Sequence, residues 1–258
     1  MEWNTLVGTL SDVPLSGRYC FPGKIPYTSQ FASPELIYAY CHEHFDGRQD
    51  PRWREFGTED VEEYCFWCNR SCAIACLKMC IETLARPKQP PSMIELIQQG
   101  LAAGGYIIHN EQGELVNFGW IYQPLVNVGQ SYGLKGQVYK TLSIENICSL
   151  LLTGALVIAS VSDEIGERND TPITHKGGHV VLVHGFEWSN QECQTLLLHN
   201  SSGRFPELQE NAVIPYDRFA AAFAGRGFAF WSTDEQNERT QLKDCGRTGA
   251  GNYNIGGT

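Results

Sequence analysis

Apolar residues repeat at helical spacing in several stretches, most of them in the first half of the chain. Three of these stretches follow a serine suited to cap a helix, at Ser33, Ser92 and Ser143. Glu95 stands three residues after Ser92, the spacing of a capping box. The most apolar stretch, residues 72–85, reads CAIACLKMCIETLA and is predicted to be a buried helix. The first half is therefore predicted to be mainly helical.

The second half carries short apolar runs separated by turns. The runs are rich in β-branched and aromatic residues and cover 155–162, 178–188, 194–201 and 227–233. Such runs favour strands of an antiparallel sheet. Helices that dominate one half and strands that dominate the other predict an α+β fold of two lobes.

The composition is that of a folded protein with an acidic surface. The chain has 258 residues, of which 42% are hydrophobic, and a formal net charge of −10. A nucleic-acid partner needs clustered Lys and Arg, so this class of partner is excluded. The apolar runs are too short for a membrane span. The N-terminus lacks the basic and apolar segments of a signal peptide, so the cysteines are predicted to be reduced thiols in the cytoplasm.

Half of the cysteines fall in one short segment. Of the 10 cysteines in the chain, five are Cys65, Cys68, Cys72, Cys76 and Cys80. Such a cluster indicates either a metal site or a helix that carries one nucleophilic thiol among buried cysteines. The last three lie ~6 Å apart along one helical stripe, so only neighbours can share an ion. No second C-x-x-C motif completes a zinc site. We therefore predict no metal and no cofactor, and keep a metal site as an alternative.

Cys72 is the predicted nucleophile. It lies in the first turn of the predicted helix, with Asn69 or Ser71 as the N-cap. Unpaired N–H groups and the helix dipole favour an anion at this place, so the pKa of the thiol is expected to fall. A thiolate nucleophile also needs a base, and the base needs a group that orients it.

His179 and Asn200 are the predicted base and orienting residue. His179 opens the run HVVLVHGFEW, Asn200 closes the run TLLLHN, and a turn near residues 189–192 joins the two runs. In this hairpin His179 is expected to face residue 202, and Asn200 residue 182. Neighbours on one face of such a hairpin lie ~5–8 Å apart. An imidazole and an amide at that separation can form a hydrogen bond.

The remaining histidines are weaker candidates. His184 and His199 lie inside apolar strand runs and are predicted to be core residues. His175 lies in the polar loop DEIGERNDTPITHKGG, which is a candidate lid over the site. Three others are far from the hairpin in sequence: His42, His44 and His109.

These motifs resemble those of papain-fold cysteine peptidases, and in particular of the C39 and C39-like families. Those peptidases carry C-G-x-A-x-L-x-M at a helix start, and residues 72–79 read CAIACLKM, with Ala in place of Gly. Their G-H-x-V-V-V-x-G-[FY] segment is similar to residues 178–186, GHVVLVHGF. The Asp or Asn on their next strand corresponds to Asn200. The resemblance covers about residues 64–232 and implies a helical lobe that carries the Cys helix, packed on an antiparallel sheet lobe that carries His and Asn.

The resemblance also implies the roles of the site residues. Cys72 attacks the substrate, His179 acts as base and then as acid, and Asn200 holds the imidazole. In the family a Gln before the nucleophile helps form the oxyanion hole, and Phe66 stands at that place here. Asn69 and the backbone N–H of Cys72 are therefore the predicted oxyanion donors.

The same resemblance divides the chain into three parts. Residues 61–232 are predicted to be the catalytic domain, with a helical part at 61–154 and a sheet part at 155–232. Residues 1–60 are predicted to be an N-terminal extension made of an irregular arm and a helix. Residues 233–258 are predicted to be a flexible Gly-rich tail.

The predicted function is attack of a thiol on an amide or thioester carbonyl through a covalent acyl-enzyme, with peptide hydrolysis as the leading reaction. Acyl transfer to an amine or amide ligation in a biosynthetic pathway is the first alternative. A catalytically inactive binding module, or a metal protein built on the cysteine cluster, is the second. The expected partner is a peptide or acyl-thioester substrate, which a carrier or precursor protein can present; no nucleic acid and no membrane is expected as a partner.

Overall fold

The computed structural model describes residues 16–106, 119–233 and 243–244. Its helices are α1 (Ile37–His42), α2 (Val61–Cys68), α3 (Cys72–Cys80), α4 (Met93–Ala102), α5 (Tyr122–Ser131), α6 (Ile144–Leu152) and α7 (Tyr216–Ala222). Its strands are β1 (Ser16–Cys20), β2 (Leu134–Tyr139), β3 (Leu156–Val161), β4 (His179–Ser189), β5 (Glu192–His199), β6 (Ala212–Pro215), β7 (Phe223–Ser232) and β8 (Lys243–Asp244).

Within these described ranges, the eight strands form one antiparallel sheet. Along its main path the strand order is β2-β7-β3-β4-β1-β8, and β5 pairs with both β4 and β6. The longest strand, β4, is central because β3, β1 and β5 all pair with it. The predicted α+β fold with an antiparallel sheet is confirmed.

Two helices begin at the predicted caps Ser92 and Ser143, whereas the Ser33 hydroxyl donates to Asp50 and a 3₁₀ turn separates Ser33 from α1. The Ser92 hydroxyl accepts a hydrogen bond from the backbone N–H of Glu95, and the Glu95 carboxylate accepts one from the N–H of Ser92. Ser143 forms the same arrangement with Asn146. The predicted apolar helix 72–85 is α3 and the π-helical turn that follows it. None of the described helices is long and apolar enough to cross a membrane.

Helices cover both faces of the sheet. Val180 and Leu182 of β4 lie in a core shared with α2 to α5, whereas Val181 and Val183 lie in a second core shared with α6 and α7. Successive side chains of a strand point to opposite faces, so burial of both faces favours an unbroken apolar run. This explains why the strands show continuous hydrophobic stretches although the sheet is antiparallel.

The segment before α1 packs onto the rest of the molecule. β1 pairs with β4 along its whole length, and Phe21, Ile25 and Phe31 are buried in the same core as α3. The sequence SGRYC did not predict a strand, because only Tyr19 of this segment is buried. Most of the predicted tail, and residues 1–15 of the predicted extension, lie outside the described residues. The predicted domain boundaries therefore stay predictions.

Among the cysteines that the structure describes, one departs from the predicted reduced state. Cys20, at the end of β1, is disulfide-bonded, whereas eight other cysteines are free. A disulfide depends on the distance between two sulfurs in the folded chain, and sequence spacing does not give that distance. The prediction of reduced thiols is therefore wrong for Cys20.

Candidate active site

Cys72 is the first residue of α3. The residue before it, Ser71, is fully buried, and its hydroxyl donates to the backbone carbonyl of Gln30 at 3.4 Å instead of capping the helix. The Cys72 thiol is half-buried and lies beside the backbone N–H of Val180. The Val180 carbonyl accepts a hydrogen bond from the Cys76 thiol at 3.8 Å. The start of α3 therefore packs against the start of β4, next to His179.

Burial raises the pKa of the Cys72 thiol above its ordinary value. The backbone N–H groups of Val180, Ala73 and Cys72 itself act in the opposite direction, as expected for a sulfur at a helix start. Desolvation is the larger effect because the charged thiolate would lie in mostly apolar surroundings. The predicted fall in the thiol pKa is therefore wrong, and Cys72 is protonated at neutral pH.

The hairpin of β4 and β5 turns where the sequence predicted. Asn190 and Gln191 connect the two strands with positive φ values of 53° and 65°, which are typical of a two-residue hairpin turn. Leu182 pairs with His199, one residue away from the predicted partner Asn200. The register shifts at two irregularities along the strand pair, and the shifts are opposite, so Leu182 keeps the pairing that Ser189 with Glu192 sets at the turn.

His179 and Asn200 are hydrogen-bonded, with 2.9 Å between Nε2 and Oδ1. The backbone N–H of Ser202 donates to the same Oδ1 at 3.1 Å. Because an N–H group needs an acceptor, this second bond fixes which end of the Asn200 amide faces the imidazole. Nε2 of His179 must then carry the ring proton, and Nδ1 keeps its lone pair. The imidazole is thus held in the tautomer that can accept a proton at Nδ1.

Burial lowers the pKa of His179 to about 4. The residue is 5% exposed, and the cost of desolvating an imidazolium exceeds the opposite effect of the hydrogen bond to Asn200. The positive charge of Arg204 lowers this pKa further, and the negative charge of Asp163 raises it. At neutral pH the site therefore holds a neutral imidazole and a neutral thiol. Within the described residues no hydrogen bond joins His179 to Cys72.

Asn69, the predicted side-chain oxyanion donor, lies at the C-terminal end of α2 and is exposed. Its Nδ2 donates to the sulfur of Cys68 at 3.6 Å. Phe66 lies under Arg70, with 4.4 Å between the guanidinium carbon and the ring centroid. A phenyl ring has no hydrogen-bond donor, so Phe66 cannot replace the family Gln. The role of Asn69 stays a prediction.

The other cysteines of the cluster lie in or against the core that α2 and α3 share. Cys76 and Cys80 are fully buried, and burial raises the pKa of both thiols. Burial also raises the pKa of Cys68 to about 12, and Cys65 is half-buried. In the part of the chain that the structure describes, no group of three or more His, Cys, Asp or Glu side chains is arranged to hold a metal ion. α3 therefore presents the Cys72 thiol at the site and its other thiols to the core.

The remaining described histidines have other partners. His184 and His199 are buried with 4.7 Å between their ring centroids, as predicted for core residues. His175 and His42 contact carboxylates of the loop that follows β3. His44 is exposed, and His109 lies outside the described residues.

Gln30 and Arg204 bind the segments that carry the site. The sequence pattern did not indicate either side chain. Gln30 donates from Nε2 to the carbonyl of Cys68 at 3.1 Å and accepts from the Ser201 hydroxyl at 3.2 Å. Arg204 donates to the carbonyl of Ser202 at 3.0 Å. Both side chains lie outside periodic elements and bind residues that the fold brings together. The polar run NSSGR after the last apolar residue of β5 was the signal that could have drawn attention to Arg204.

A family comparison decides the class of this chain. Residues 49–228 match the Peptidase_C39 like family. The chain belongs to this family. The matched segment contains Cys72, His179 and Asn200, and it covers more than half of the chain. The C39-like family is one of peptidases with a papain-like fold, which agrees with the mixed helices and antiparallel sheet described above.

Two solved structures of C39 proteins are distantly similar to this C39-like chain. The "putative C39-like peptidase from Bacillus anthracis" is 13% identical, with 64% of this chain and 90% of that chain covered and a TM-score of 0.44. The peptidase domain of Streptococcus ComA, a bifunctional ABC transporter involved in a quorum-sensing pathway, is 14% identical, with 63% and 92% covered and a TM-score of 0.36. No curated protein matches the chain in sequence.

Proposed function

We propose that this C39-like protein is a cysteine peptidase that cleaves an amide bond through a covalent acyl-enzyme, with Cys72 as nucleophile. The observation that carries the proposal is the hydrogen bond of 2.9 Å between His179 and Asn200, which leaves Nδ1 of the imidazole without its proton. The residue after His179 is Val180, whose backbone N–H lies beside the Cys72 thiol. Membership of the family supports the reaction class.

In the first step the Cys72 sulfur bonds to the substrate carbonyl carbon while its proton passes to Nδ1 of His179. Because thiol and imidazole are both neutral beforehand, proton transfer accompanies the attack. Asn200 Oδ1 stabilises the imidazolium through the bond to Nε2. The C–N bond then breaks, His179 returns the proton to the leaving amine, and a thioester remains on Cys72.

In the second step water attacks the thioester carbonyl and gives its proton to His179. The C–S bond breaks, the acid product leaves, and the Cys72 sulfur takes the proton back. The oxyanion of each step needs donors, for which we propose the backbone N–H of Cys72 and the Asn69 amide. One such donor is worth ~10²–10³ in rate. Since Asn69 is exposed and donates to Cys68, its amide must turn toward the substrate to contribute.

The proposed substrate is a peptide, or an acyl thioester carried by a partner protein. A cytoplasmic location is part of the proposal, and two observations bear on it in opposite ways. Eight free cysteines fit a reducing compartment. The disulfide of Cys20 fits an oxidising one.

Acyl-enzyme formation tests the proposal without knowledge of the natural substrate. The protein is incubated with p-nitrophenyl acetate, and acetylated residues are located by peptide mapping and mass spectrometry. We expect acetylation at Cys72 first among the 10 cysteines, slowed at least tenfold by His179→Ala and unchanged by His175→Ala, in which a histidine is also lost. Acetylation that is spread over several cysteines, or that is indifferent to His179→Ala, would overturn the proposal.

Acyl transfer is the second candidate because Phe66 replaces an oxyanion donor of the family. A weakened oxyanion site slows attack on the thioester by water and by amines alike. An amine is the stronger nucleophile, so it competes with water for an acyl-enzyme that persists longer. Adding n-butylamine to the acetylated protein separates the two reactions: release of acetate indicates a hydrolase, and release of N-butylacetamide indicates a transferase. Peptides incubated with the protein and searched for new termini by mass spectrometry then define the sequence that is cut.

A further inference from the structure

Arg204 is a buried arginine next to the candidate site, with 8% of its side chain exposed. Its Nη2 donates to the carboxylate of Asp163 at 2.8 Å, and its Nη1 donates to the carbonyls of Asp163 and Ser202, each at 3.0 Å. Nε lies 3.0 Å from a carboxylate oxygen of Glu167. The backbone N–H of Arg204 donates to the carbonyl of Gly166 at 3.0 Å. One residue therefore joins the loop 163–167, after β3, to the loop 200–204, after β5.

The Asn200 side chain depends on the loop that Arg204 holds. Its Oδ1 accepts from His179 and from the backbone N–H of Ser202. Its buried Nδ2 has no hydrogen-bond partner among the residues that the structure describes. The orientation of the amide is thus fixed from one end only, by the backbone of Ser202. The carbonyl of that same residue is bound by Arg204.

The two loops also meet at Gly166. A Cβ atom added there would lie 2.8 Å from Nη1 of Arg204 and 3.2 Å from Nδ2 of Asn200. Contacts this short require that the arginine or the amide moves. Gly166 therefore leaves the space in which Arg204 and Asn200 lie side by side.

We propose that Arg204 is a positioning residue for the C39-like reaction: by joining the two loops it holds Asn200 where the amide can orient His179. This inference rests on the proposed function. Arg204 does not contact the substrate or the reacting atoms in this role, and it acts through Ser202 and Asn200.

The charge of Arg204 has a second, separable effect. Among the charged groups that influence His179, Asp163 raises its pKa and Arg204 lowers it. Removal of the guanidinium therefore raises the pKa of His179 in two ways, since a positive charge is lost and Asp163 is left uncompensated. Arg204→Lys keeps the charge but loses the planar fork that binds two carbonyls and a carboxylate at once. Arg204→Met loses both.

Arg218 provides a matched control. It is also buried, and it donates to the backbone carbonyls of Glu164 at 2.7 Å, Glu167 at 2.9 Å and Thr171 at 2.7 Å. It therefore holds the same loop after β3, but among the residues that the structure describes it forms no hydrogen bond with the loop that carries Asn200 or with His179. Replacement of Arg218 by Lys tests what loosening of the first loop alone does.

The experiment measures the acetylation rate of Cys72 by p-nitrophenyl acetate against pH. We expect Arg204→Lys and Gly166→Ala to lower the rate ten- to a hundredfold, in line with the cost of ~1 Å misplacement. The midpoint of the acidic limb should not move to higher pH in these variants, because the charge is kept and the hydrogen bond to Asn200, which raises the pKa of His179, is weakened. Arg204→Met should lower the rate as much and also move that midpoint to higher pH. Arg218→Lys should change neither. A wild-type rate in Arg204→Lys and Gly166→Ala, or an equal loss in Arg218→Lys, would overturn the proposal.

A second measurement keeps this inference separate from the proposed function. In Cys72→Ala protein with ¹⁵N-labelled histidine, NMR reports whether His179 is protonated at Nε2. We expect that tautomer in the parent protein and a mixture of tautomers in Arg204→Lys. If wild-type Cys72 is not acetylated but the tautomer still responds to Arg204→Lys, the proposed function fails and the positioning role stands. An unchanged tautomer in folded Arg204→Lys protein overturns the positioning role itself.

Discussion

The two sides of the candidate site are built by different means. Cys72 is placed by a helix whose following residues, such as Ala75 and Cys76, are fully buried in apolar surroundings. His179 is placed by hydrogen bonds to polar groups of a loop, through Asn200 and Ser202. The position of the nucleophile therefore follows from backbone packing, whereas that of the base depends on side chains that must be ordered one by one. The position of Cys72 should therefore tolerate the loss of nearby polar side chains, and the position of His179 should not.

The largest effect is expected on the helix side, at the sulfur itself. Cys72→Ser keeps the size of the side chain, but a neutral imidazole of low pKa cannot activate a hydroxyl as it can a thiol. We expect deacylation turnover with p-nitrophenyl acetate to fall by about 10⁴-fold or more. Cys193→Ser, a buried cysteine of the second core, is the control and should keep its rate. Comparable losses in both variants would mean that the thiol of Cys72 acts only as a packing residue.

On the side of the site that carries His179, the loss of activity depends on what replaces Asn200. Asn200→Ala removes the acceptor at Nε2 and should lower the acetylation rate by about 10²-fold, since the imidazole loses its orientation. Asn200→Asp keeps an acceptor and adds a negative charge, which favours the imidazolium and raises the pKa of His179. We expect a loss of about tenfold and an acidic limb at higher pH. If the two variants share one pH profile, Asn200 does not bind the imidazole during the reaction.

The pH dependence of stability tests the burial of His179. Its pKa is about 4 in the folded protein and ~6.5 in an unfolded chain. The unfolded chain therefore binds more protons between these values, so stability is full above pH ~6.5 and falls as the pH drops toward 4. About 2 kcal/mol of the free energy of unfolding should be lost by pH 5 from this residue. Urea unfolding at pH 7 and pH 5 measures the loss.

His179→Gln is the comparison for that measurement, and it should lose part of the pH dependence. Burial lowers the pKa of His184 to about 3, so His184 also makes the folded protein less stable as the pH falls through this range. That contribution to the pH dependence should remain in His179→Gln. An identical pH dependence with and without His179 would show that its imidazole is solvated in the folded protein.

The same contrast explains what the sequence could predict. The Cys helix and the hairpin turn follow from local spacing and turn residues, so the pattern around Cys72 and His179 was informative. The pKa of Cys72 was predicted in the wrong direction because helix position is visible in a sequence and burial is not. Gln30 and Arg204 were missed since each binds segments far away along the chain. The hydrogen bonds around Asn200 join segments that are far apart in the sequence, so no periodic pattern of apolar residues indicates them.

Gln30 joins the two sides and gives the smallest expected effect. It bonds the carbonyl of Cys68, at the end of α2, and the hydroxyl of Ser201, beside Asn200. Gln30→Ala leaves both buried groups without these partners, which costs ~1–3 kcal/mol per buried group. We expect a lower free energy of unfolding in urea and a loss of a few fold in acetylation rate, because helix and loop keep their own contacts. Gln99→Ala, which removes a bond to Tyr132 away from the site, is the control for the loss of a glutamine. A loss of activity in Gln30→Ala as large as in Asn200→Ala would mean that the position of Cys72 also depends on hydrogen-bonded side chains. The contrast between the two sides would then fail.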